Sequence, residues 1–118
     1  MLGPDKNRRY YVYGHATDMR KSFNGLCGIV TNELGRNPRC GDVFVFINKR
    51  CTLLKLLYWE ASGYAIYYKR LESGTFERPV GVGRAIRIGA EDLLLILSGI
   101  ELHSVVKKKR YCLPAHVE

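Results

Sequence analysis

The chain has 118 residues, 47% of them apolar and 25% charged, and its nineteen Lys and Arg outnumber eleven Asp and Glu to give a formal charge of +8. That length suits one domain spanning 1–118 and excludes two ordinary ones. Eight tyrosines, four phenylalanines and one tryptophan exclude a disordered chain. No apolar run is long enough for a membrane span or, within residues 1–20, for a signal peptide, so a cytoplasmic protein with no membrane partner is expected.

Residues 1–8 are polar, with a turn signal at Gly3-Pro4-Asp5, and read as a flexible end. Residues 9–13 (RYYVY) are rich in β-formers and read as a strand. Thr17 or Asp18 can cap a helix over about 19–34, because Met19, Phe23, Leu26, Val30 and Leu34 form one apolar stripe. Gly35 and Asn37-Pro38 stop it. Three β-rich runs follow at about 43–47, 52–59 and 64–69. Turns this short require an antiparallel three-stranded meander. Residues 74–79 read as a loop or bent edge strand, residues 84–88 as a last short strand, and residues 90–98 as a helix with Glu91 and Asp92 suited to its N-terminal dipole. Residues 104–118 read as a second flexible end. The expected class is α+β: an antiparallel sheet built on the meander, with one or two further strands and two helices.

With four-residue turns, Ile47 pairs with Thr52 and Trp59 with Tyr64. One face of the meander then holds Val43, Val45, Ile47, Leu54, Leu56, Tyr58, Ala65 and Tyr67, a conventional core for two helices to cover. The other holds Phe44, Phe46, Leu53, Leu57, Trp59, Tyr64, Ile66 and Tyr68, interrupted by Lys55 and Arg70. That second face is either buried against something else or used as a surface. Aromatic and basic side chains interleaved on a sheet can stack bases while cations hold phosphates; the alternative is ordinary core with a rim of long cations.

The charge excess is spread along the chain, ten basic against five acidic residues in 1–60 and nine against six in 61–118. It suits a polyanion partner or, more simply, solubility. Lys107-Lys108-Lys109-Arg110 reads as an electrostatic arm or a solvated tail. Cys27, Cys40, Cys51 and Cys112 lack a zinc spacing and read as reduced thiols, so no metal and no cofactor are expected. The carboxylates show no converging pair on strand ends, the histidines are isolated, and Gly81-Val82-Gly83 is a lone G-x-G, so catalysis is not expected.

The strings Thr17-Asp18-Met19-Arg20-Lys21-Ser22-Phe23-Asn24-Gly25-Leu26, Gly41-Asp42-Val43-Phe44-Val45-Phe46, Lys55-Leu56-Leu57-Tyr58-Trp59 and Tyr68-Lys69-Arg70-Leu71-Glu72-Ser73-Gly74-Thr75-Phe76, with Pro79, occur in an order that resembles the TnpB accessory proteins. These are second-reading-frame products of transposons of the insertion-sequence sixty-six type, distinct from the RNA-guided nuclease of the same name. The resemblance covers about residues 9–112. It implies a small non-catalytic protein encoded beside a larger transposase and needed for efficient transposition. Glu77-Arg78 stands where many relatives have an aromatic before the proline, which argues against stacking by that loop. Together these readings give an accessory protein that binds transposon DNA through Arg20, Lys21, Lys55, Lys69, Arg70 and Lys107 to Arg110. Trp59, Tyr64 and Tyr68 form a stacking or partner surface. The alternative is an adaptor that docks the cognate transposase through that aromatic face without touching DNA. A homo-oligomer is left open.

Overall fold

A computed structural model describes residues 5–81 and 83–99. Its elements are β1 (Tyr10–Tyr13), α1 (Phe23–Asn32), β2 (Val43–Ile47), β3 (Leu53–Glu60), β4 (Gly63–Arg70), β5 (Ala85–Ile88) and α2 (Ala90–Leu97). The α+β class is as expected. The five strands form one sheet in the order β4-β3-β2-β1-β5. The meander is present, but the sheet is mixed rather than antiparallel, because β1 pairs with β2 in parallel. A parallel pair requires a crossover, and α1 supplies it.

The crossover explains a second difference. Both helices were expected on one face, yet each face has its own. Leu26, Ile29 and Val30 of α1 pack on Tyr11, Tyr13, Phe44, Phe46 and Leu57. Leu93 and Ile96 of α2, with Phe76, pack on Tyr10, Val12, Val43, Val45, Ile47, Leu54, Leu56 and Tyr58. The face lists read from the sequence survive even though Ile47 pairs with Leu54 rather than Thr52. A slip of two residues leaves every side chain on its own face. The β3–β4 turn holds two residues, Ala61 and Ser62, and keeps Trp59 opposite Tyr64.

Helix α1 begins at Phe23, four residues later than expected, and Ser22 rather than Thr17 or Asp18 is its N-cap. The Asp18 carboxylate instead accepts from Arg20 N at 2.9 Å, and Lys21 N donates to Asp18 O at 3.1 Å. These bonds make a turn, and the first helical bond runs from Leu26 N to Ser22 O. Gly35, at φ +63, ends the helix as expected. Tyr13 Oη donates to Glu33 Oε1 at 2.5 Å and ties the end of α1 to β1. Burial first, and then this bond, push the phenol up to about 12. At the N-terminal side of the described residues, Tyr10 Oη donates to Asp5 O at 2.7 Å.

Candidate nucleic-acid interface

The pairings bring the ends of β1, β2 and β4 together with the starts of β3 and β5. At this upper end lie the linker after β1, the β2–β3 turn and the long segment from β4 to β5. Residues 14–22, 48–52 and 69–84 there carry Arg20, Lys21, Lys49, Arg50, Lys69, Arg70, Arg78 and Arg84 against Asp18, Glu72 and Glu77. The remaining described residues are nearly neutral, with seven cations against six carboxylates. An excess spread evenly along the sequence is thus gathered at one end of the fold. Concentrated charge of one sign attracts a polyanion far more strongly than the same charge dispersed.

Asn48 builds the β2–β3 turn. Its Oδ1 accepts from Thr52 N at 2.9 Å and Leu53 N at 3.0 Å, while Cys51 N donates to Asn48 O at 3.0 Å. Arg78 Nη2 donates to the carbonyls of Ile47 and Asn48 at 3.3 and 3.0 Å, fastening the long segment to the same turn. Lys49 and Arg50 stand exposed at its tip. Among the described residues the side chains of Lys21, Lys49 and Arg50 make no hydrogen bond or ion pair. An open groove of about 440 Å³ runs between this turn and residues 16–19. A second, of about 330 Å³, is lined by Leu53, Tyr68 and Arg70, and Leu53 borders both.

The cations expected to contact DNA divide into two groups. Arg20 and Lys21 are exposed on the linker, and Arg70 is exposed at the end of β4. Arg20 is held by Asp18 at 2.6 Å and Arg70 by Glu72 at 2.8 Å. The Arg20 hydrogen bond pulls the Asp18 carboxyl down to about 2. Exposed pairs like these are weak and exchange readily for another anion.

Lys55 and Lys69 behave differently. Lys55 is 7% exposed, and its Nζ donates to Met19 O at 2.9 Å and Lys21 O at 2.7 Å. Its ammonium, expected from the sequence to meet a phosphate, here holds the linker on the sheet. Lys69 Nζ donates to Leu97 O at 2.7 Å, at the C-terminal end of α2 where a cation suits the helix dipole. Strand alternation turns Lys69 to the α2 face and Arg70 to the α1 face, so the two neighbours stand on opposite sides of the sheet. Lys107, Lys108, Lys109 and Arg110 lie outside the described residues.

The aromatic surface also divides. Trp59 and Tyr64 meet edge to face at 4.9 Å, and the Arg39 guanidinium lies 4.8 Å from the Trp59 ring. Tyr68 is 53% exposed at the other end of β4, with Lys55 Nζ 4.7 Å from its ring centre. The carboxylates of Asp18, Asp42 and Glu72 each bind an arginine. Lys49, Arg50 and Arg78 escaped the sequence reading. Lys49-Arg50 was legible as an adjacent cationic pair between two apolar strands, whereas nothing in the sequence marked Arg78 as a fastener of that turn.

A family model described as "IS66 Orf2 like protein" matches residues 8–107. The chain belongs to that family. Two relatives come from Sinorhizobium fredii (strain NBRC 101917 / NGR234). The "Uncharacterized protein y4jC" is 37% identical over 108 residues, covering 92% of each chain. The "Uncharacterized protein y4hO" is 37% identical over 101 residues, covering 86% of this chain and 88% of its own. No solved structure gives a significant match. Membership of the IS66 Orf2-like family links the chain to transposition in an accessory role.

Proposed function

We propose that this IS66 Orf2-like protein is a non-catalytic accessory factor that binds transposon DNA through the upper end of its sheet and assists the transposase. The observation that carries the reading is the gathering of Lys21, Lys49 and Arg50, unpaired among the described residues, with weakly paired Arg20 and Arg70, at the end of the sheet where two adjoining grooves are lined by Lys49, Arg50 and Arg70. Such cations release counterions when they meet phosphates, so binding must weaken as salt rises.

A second reading, docking of the transposase on β4, has one observation in its favour. β4 is an edge strand with Tyr67 40% and Tyr68 53% exposed. A salt titration of purified protein with transposon-end DNA separates the two. Contacts from Lys21, Lys49 and Arg50 give a log–log slope of about −3 or steeper. A flat salt dependence, with transposase co-purification that survives nuclease, overturns the DNA reading in favour of the adaptor.

A further inference from the structure

We infer that the upper end takes DNA as a single or unpaired strand, with Tyr68 as the ring on which a base stacks. This rests on the DNA-binding reading and names the substrate class of that same site.

The helices come first. α1 (FNGLCGIVTN) has no charged side chain, and α2 (AEDLLLIL) has only Glu91 and Asp92. A helix lying in the major groove runs between two phosphate backbones and is held there by cations. α1 has none to offer, and α2 would be repelled. The cations stand on a linker, a hairpin tip and a strand end instead.

Tyr68 supplies the second observation. Its half-exposed ring shares a groove with apolar Leu53 and the guanidinium of Arg70. A duplex stacks its base faces on one another and offers a protein only edges and phosphates. An exposed ring beside an apolar side chain finds little to bind there. An unpaired base offers its flat face to Tyr68 and Leu53 while Arg70, Lys49 and Arg50 lie within the same pair of grooves for the backbone. Lys55 fixes the platform, since its ammonium lies over one face of the ring, anchored by two carbonyls of the linker, and leaves the opposite face for the base. The Trp59 ring is a poorer candidate, being half-buried and already packed by Arg39 and Tyr64.

The test is fluorescence anisotropy with the full chain, a labelled oligothymidine and the same strand annealed to oligoadenine. Tyr68→Ala is expected to weaken single-strand binding about tenfold and duplex binding less than about twofold, and Tyr68→Phe to restore the single-strand affinity. The duplex affinity serves as the check that the variant is folded. Equal losses on both substrates, or no loss on either, overturn the stacking inference and leave the DNA reading standing. No binding of the unaltered protein to either substrate overturns both.

Discussion

The two ends of the sheet carry similar side chains and use them in opposite ways. At the lower end, where β1 and β2 begin, four arginines are already occupied. Arg9 binds the buried Asp42 at 2.9 Å, Arg36 lies 3.9 Å from the Tyr11 ring centre, Arg39 lies 4.8 Å from Trp59, and Arg8 lies 5.7 Å from Tyr58. At the upper end Lys21, Lys49 and Arg50 reach into solvent from turns that are themselves tightly bonded. Cations spent on rings and carboxylates hold a fold together, while cations left unpaired on rigid turns are available to a partner. Net charge alone does not distinguish these uses; the partners of each side chain do.

Four variants probe that contrast. The largest effect belongs to Phe76, 1% exposed, whose ring pins the long upper segment into the α2 side of the core. Phe76→Ala should lower unfolding free energy by about 3–5 kcal/mol in urea melts. Lys55→Met comes next, at about 2–3 kcal/mol, because it leaves the Met19 and Lys21 carbonyls without their charged donor. If Lys55→Met instead left stability intact and reduced the salt dependence of DNA binding, Lys55 would belong with the phosphate contacts after all.

Arg36→Ala/Arg39→Ala should cost about 1–2 kcal/mol of stability, from two cation–ring contacts, and leave DNA affinity unchanged. The smallest effect is expected of Asp18→Asn, which releases Arg20 and removes a negative charge from the basic end. DNA affinity should rise about two- to threefold by anisotropy. The Asp18 carboxyl is held down to about 2 by Arg20. The stability it lends is therefore present above the ordinary carboxylate range and fades as pH falls from about 4 through about 2. Asp18→Asn should flatten the acid limb of the stability profile in that window, and only slightly, because the pair is exposed.

Much of the fold was legible because β-strands have a period of two. Phe44, Phe46 and Leu57 fall on one face and Val45, Leu54 and Leu56 on the other under either register. The parallel pairing of β1 with β2 was not legible, since no local signal at Tyr10–Tyr13 names a partner thirty residues away. The start of α1 was misplaced for a related reason. Met19 continues the helical stripe, but its carbonyl and that of Lys21 are claimed by Lys55 from across the sheet. Within the candidate site, Arg20, Lys21, Arg70 and Tyr68 could be found from charge and exposure-prone positions. The inward turn of Lys55 and the capping role of Lys69 could not, because both depend on carbonyls supplied by distant segments.

The most direct test sets the two ends against each other in one measurement, the salt dependence of binding to transposon-end DNA. Lys49→Ala/Arg50→Ala should lower the log–log slope by about 2, while Arg36→Ala/Arg39→Ala should leave it where it was. Equal slopes for all three proteins, or a loss confined to the Arg36 and Arg39 variant, would contradict the assignment of DNA binding to the upper end of the sheet.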